Sequence, residues 1–158
     1  MKVENTDKKT FQLTEKNNLL GQLIYKSLLS ESAKINIANS TNYEIKPVGL
    51  SNISVTKNNN EVANLKMNAK FNIVITFQDG KKFYVKNKNA LSNKYIIENE
   101  EKEKLIQLDL KSNSGISDFN YDISFGEKNQ DILFVLIGVY AVNYHMSTST
   151  SIIIGGAI

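Results

Sequence analysis

The chain has 158 residues, 41% apolar and 22% charged, with a formal net charge of +3, which fits one domain with a sizeable core. It contains no Cys, which excludes disulfides, zinc–thiolate sites and thiol catalysis. It contains no Arg either, so it lacks the planar fork that reads guanine edges, and with so small a net charge no nucleic-acid partner is expected.

Asn and Lys are enriched instead, as in KNNNE and KNKNALSNK. With Arg absent, that bias reads as a nucleotide-composition effect of the source genome. Residues 1–9 are polar and lack the apolar stretch of a secretory signal, so they read as an N-terminal tail, with the cytoplasm as default location and a peripheral membrane position as the variant.

From Thr10 to Ser124 the signal is period 2, the mark of strands with one buried face. TFQLTE places Phe11 and Leu13 on one side, and LGQLIYKS follows. KINIAN and YEIKPV flank STN. NISVTK and EVANLKMN flank NNN, whose Asn residues tolerate the left-handed region. FNIVITF and KKFYVKN flank QDG, the strongest hairpin signal. KYIIEN and KLIQLDLK flank the charged turn EEKE, and FNYDISFG closes the series. That makes eleven predicted strands in one domain over residues 10–146, with no linker and no longer repeat.

The pattern changes at Asp131. Ile132 to Val142 is almost wholly apolar, and Asn129 or Asp131 could cap its start. A helix there, about residues 130–146, would have no polar face and so would lie inside a protein or a membrane. The run is shorter than the roughly 20 residues that span a bilayer, and Asn143, His145 and five hydroxyl residues follow it. A core helix is therefore expected, with Leu133, Leu136, Ile137 and Tyr140 facing the strands and Gly138 allowing close approach. Residues 147–158 read as a separate apolar tail. A barrel of eleven or twelve strands has a lumen wider than its own side chains fill, and one all-apolar helix would fill it.

This order of elements resembles the tubby C-terminal-like superfamily, which includes phospholipid scramblases and LURP-one-related proteins, and within it the small bacterial members. The resemblance lies in LLGQLIYKSLLSESAKI, YEIKPVG, VANLKMNAKFNIVITF, KKFYVKNK and DILFVLIGVYAVNYH. It implies a mainly β fold: a closed antiparallel barrel of about twelve strands enclosing a C-terminal hydrophobic helix. It also implies a non-enzymatic role near lipid. Tubby proteins bind phosphoinositides through basic side chains including Arg, and no motif here carries those positions over; nor is the calcium-binding segment of scramblases recognisable.

Candidate sites are few. In KKFYVKNK the outward positions are Lys82, Tyr84, Lys86 and Lys88, and in EVANLKMNAK they are Lys66 and, in phase, Lys70. If these strands are neighbours, they make a Lys-rich face for lipid headgroups, each Lys worth about 1 kcal/mol near an anionic surface. The bland reading is a solvated sheet face. His145, the sole histidine, has no nucleophile–base motif around it and reads as a helix-terminal residue whose charged form the dipole would favour. Glu98, Glu100, Glu101 and Glu103 stand in a charged turn, and Asp118 and Asp122 around the last strand; neither set has metal-ligand spacing. No catalytic residue, metal or cofactor is expected. The expected partners are an anionic phospholipid or membrane surface, or another protein reached through a sheet edge or the apolar tail.

Overall fold

A computed structural model describes residues 1–38, 41–89, 91–112, 119–128 and 130–156, with side chains through Ser149. The strands are β1 (Lys2–Asn5), β2 (Thr10–Glu15), β3 (Asn18–Tyr25), β4 (Ala33–Ile37), β5 (Thr41–Val48) and β6 (Asn52–Lys57). They continue as β7 (Asn60–Met67), β8 (Ile73–Phe77), β9 (Lys82–Asn87), β10 (Lys94–Glu98), β11 (Lys104–Ser112) and β12 (Phe119–Phe125). The helix α1 (Ile132–Gly156) ends the series. Each strand pairs antiparallel with its sequence neighbours, and β1 pairs with β12, so the sheet closes into a twelve-stranded barrel.

Local chemistry makes the hairpins tight. Lys16–Asn17 and Asn58–Asn59 are two-residue turns with both φ angles positive, the geometry whose twist matches the flanking strands. The QDG turn places Gly80 at φ +85°, a conformation that costs a residue without Cβ little.

Inward residues alternate along the strands, interrupted where bulges shift the register in β2–β3, β6–β7 and β10–β11, and α1 fills the lumen. Phe134 through Val142 are all buried. Sequestering six large apolar side chains of that stretch contributes on the order of 10 kcal/mol of gross transfer free energy. Leu136, Ile137 and Tyr140 are wholly enclosed, whereas Leu133 is only partly buried against the core. Ile132–Ser149 is long and apolar enough to cross a membrane, yet half of it is covered by the barrel. Asp131 caps the helix: its Oδ1 accepts the Phe134 N–H at 2.9 Å. Asn129, the other candidate cap, lies outside the described residues.

Four expectations are corrected. Residues 1–9 are not a tail, because Lys2–Asn5 is β1 and Val3 is fully buried; four residues are too few for periodicity to show. The helix does not stop near residue 146 but runs to Gly156, so residues 147–156 are not a separate tail. The hydroxyls that suggested a break bond back instead, Ser147 Oγ and Thr148 Oγ1 both donating to the Tyr144 carbonyl. His145 consequently sits in mid-helix, away from the dipole's end. Finally, the sheet closes on itself through β1 and β12, so among the described residues no strand stands as a free edge.

Because consecutive strands pair antiparallel, the connections alternate between the two barrel ends. The upper rim is where α1 enters, beside the β8–β9 turn. The lower rim is where it leaves, among the loops at 6–9, 26–32, 49–51, 68–72 and 88–93.

Candidate functional site

The six outward residues singled out in the sequence do not form one patch. β8 lies between β7 and β9, so Val74 separates Lys66 from Tyr84 in the same transverse row. Lys82 opens β9 at the upper rim, while Lys88 lies just past its lower end, about 20 Å away along the strand. Lys86 is bound to Glu98, a buried carboxylate that pairs across the strands with Tyr84, two positions along β10 from Lys86's own partner Ile96. That pair neutralises the middle of the wall. Lys70 sits in the β7–β8 turn. Only Lys66, Lys70 and Lys88 therefore gather toward the lower rim.

The carboxylates named in the sequence are scattered as well. Glu100 and Glu101 are exposed and Glu103 bonds Asn99, while Asp122 faces Lys111 at 3.4 Å. Asp118 falls outside the described residues. No group of three or more His, Cys, Asp or Glu able to hold a metal occurs among the described residues.

The lower rim carries what sequence reasoning missed. Among the described residues, seven large apolar ones are exposed: Leu19, Leu28, Leu29, Val48, Leu50, Phe71 and Leu91. All but Leu19 lie on lower-rim loops or at the strand end entering one. Leu29, Leu50 and Leu91 are fully exposed, on three different loops. The signal was present in LLSES, VGLSN and NALSNK, where leucine stands in turns that offer it nothing to pack against.

Beneath these tips the mouth of the barrel is closed by a polar network centred on α1. Asn143 accepts from the Tyr121 hydroxyl through Oδ1 and donates from Nδ2 to the Tyr25 hydroxyl at 3.1 Å. The Tyr140 hydroxyl donates to the Glu31 carbonyl at 2.8 Å. His145 reaches the Phe71 carbonyl through Nε2 at 2.9 Å and the Tyr95 hydroxyl through Nδ1 at 3.0 Å. Tyr25 stacks on Tyr140, and Tyr140 on Tyr144. Burial pushes the Tyr25, Tyr121 and Tyr140 hydroxyls up from their ordinary value and His145 down, the Phe71 carbonyl opposing the latter. The helix is thereby fixed to two lower-rim loops, through Glu31 and Phe71, and to β3, β10 and β12, through Tyr25, Tyr95 and Tyr121.

At the upper rim an open cleft of about 590 Å³ lies between Phe77, Phe83 and Phe134 below and Asp79, Lys81 and Asp131 above. Asp79 is held low by its bond with Lys81, so its charge is spent locally.

No protein-family model, curated protein or solved structure matches the chain.

Proposed function

We propose that this protein is a non-enzymatic, tubby C-terminal-like module that works at a membrane surface, with its lower rim as the contact. Six large apolar side chains left in water at one end of a closed barrel carry this reading. They are aliphatic or phenyl tips on separate loops, with polar residues between them. A protein-binding patch is instead built around a contiguous buried centre rich in Tyr, Trp and Arg, and this chain has no Arg or Trp. Separate tips suit a surface that admits each one alone. Burying a Leu fully is worth about 1.5–3 kcal/mol, so a few tips suffice for reversible attachment. The twelve-stranded barrel around one helix is also the layout that the tubby-like resemblance implies.

A protein-interaction role through a sheet edge loses its basis in the closed barrel, and retains only the apolar C-terminal residues. Co-sedimentation with vesicles of equimolar phosphatidylcholine and phosphatidylglycerol tests the membrane reading. The full chain should pellet with the vesicles, and the triple variant Leu29→Ser, Leu50→Ser, Leu91→Ser should bind at least tenfold more weakly, since each lost tip removes about 1.4 kcal/mol or more. A wild-type chain that stays in the supernatant defeats it.

A further inference from the structure

The two rims differ in charge as well as in polarity. The described lower-rim loops carry Lys8, Lys9, Lys26, Lys70 and Lys88 against Asp7 and Glu31, a net of three positive charges. The upper-rim loops carry Lys16, Lys81, Lys102 and Lys128 against Asp79, Glu100, Glu101, Glu103, Glu127 and Asp131, a net of two negative charges. A chain whose overall charge is only +3 is thus polarised along its helix axis. The basic end is the one that exposes its leucines.

We infer that the barrel docks end-on to an anionic bilayer, its basic apolar rim against the lipid and its acidic rim held away, with α1 pointing at the membrane. The inference rests on the membrane reading above and adds the lipid class and the orientation. Lysines behind apolar tips reach headgroup phosphates while the tips enter the acyl boundary. The opposite sign on the far rim disfavours the inverted pose, and the Lys86–Glu98 pair leaves the wall between them with little attraction. Side-on docking through Lys82, Tyr84 and Lys86 would present a neutralised surface. The α1 backbone runs about 16 Å past His145, so end-on docking also directs the end of the helix, residues 150–156, toward the lipid.

Two measurements test this on the full chain. The first compares vesicles of pure phosphatidylcholine with equimolar phosphatidylcholine–phosphatidylglycerol. Binding should be about a hundredfold tighter to the anionic vesicles at low salt, from three net charges near the surface, and the preference should fade at high salt. Lys70→Glu with Lys88→Glu should abolish the preference; Lys82→Glu at the upper rim should keep it. Equal binding to both vesicle types overturns the lipid class while leaving the membrane reading standing; no binding to either overturns that reading too. The second uses the absence of native Cys. An environment-sensitive fluorophore on Leu91→Cys should shift to the blue on anionic vesicles, and one on Glu101→Cys or Lys82→Cys should not. A shift at Lys82→Cys or Glu101→Cys matching that at Leu91→Cys overturns the orientation.

Discussion

His145 on α1 lies 2.9 Å from the carbonyl oxygen of Phe71, tying the buried helix to an exposed tip of the lower rim. A carbonyl only accepts, so Nε2 carries the hydrogen and Nδ1 accepts from the Tyr95 hydroxyl at 3.0 Å. That is the arrangement of the neutral ring, the form that desolvation of the half-buried imidazole favours. Phe71 itself sits at φ +60°, a conformation costly for a bulky side chain that persists only where neighbours impose it.

The pH dependence of stability follows. Desolvation places the folded pKa of His145 below its ordinary value of 6.5. Between those two values the unfolded chain binds a proton that the folded chain does not, so stability rises with pH. The His145 contribution is complete above about pH 6.5 and drains away as pH falls toward the folded pKa. Urea unfolding at pH 7.5 and 5.5 should show a loss on acidification that shrinks in His145→Gln, which keeps a donor for Phe71. An unchanged pH difference in the variant would place the acid sensitivity elsewhere.

Asn143 gives the complementary prediction at the same level of the helix. Asn143→Leu leaves the buried Tyr121 hydroxyl and its neighbour Tyr25 without that partner. Stranding a buried hydroxyl costs about 1–3 kcal/mol, so thermal unfolding should come several degrees lower. The raised tyrosine values also set an alkaline limit. Stability should be full below pH 10 and fall above it, where the unfolded chain ionises and the folded one resists. A flat profile from pH 9 to 11 would contradict this.

How much of this was legible in the sequence depends on the length of the signal. Strands such as FNIVITF and FNYDISF span enough residues for alternation to show; FNYDISF is β12 as read, and FNIVITF holds β8 in its last five residues, with Phe71 and Asn72 in the preceding turn. The four residues of β1 do not, although Val3 is as buried as any core residue. The helix start was marked by Asp131, but its end was not, because Ser and Thr look like breakers until their hydroxyls are seen bonding back to Tyr144. The lysine wall failed for a different reason. Period 2 says which face a residue takes, whereas Val74 between Lys66 and Tyr84, and Glu98 beside Lys86, are facts of cross-strand register. The leucine tips were visible but went unread, since alternation gives no weight to residues in turns.

Gly21 was not singled out in the sequence, yet it decides where the helix lies. It faces inward on β3, the strand nearest α1. A Cβ there would stand 2.9 Å from Leu136 Cδ1 and 3.0 Å from the Asn36 carbonyl oxygen. Leu136 can yield; the backbone oxygen of β4 cannot do so cheaply. Gly21→Ala should therefore destabilise by about 1–3 kcal/mol, the usual cost of overpacking, despite alanine's lower backbone entropy. A midpoint in urea equal to or above wild type would show that the helix can shift away from β3.

Leu136 supplies the sharpest test of what α1 is for. It is wholly enclosed, whereas Leu133, one turn earlier, is only partly buried. An unpaired carboxylate at position 136 would stand among apolar side chains, with no charged partner among the described residues that line the lumen, and burying it costs several kcal/mol or more, comparable with the whole stability of a domain this size. Leu136→Asp should abolish cooperative unfolding and the native circular-dichroism signature. Leu133→Asp, able to turn its charge toward the upper rim, should remain folded with a lowered midpoint. Were α1 a bilayer span rather than the plug on which twelve strands close, Leu136→Asp would leave a folded barrel that had merely lost its membrane fraction. Fractionation and circular dichroism on the same variant distinguish the two outcomes.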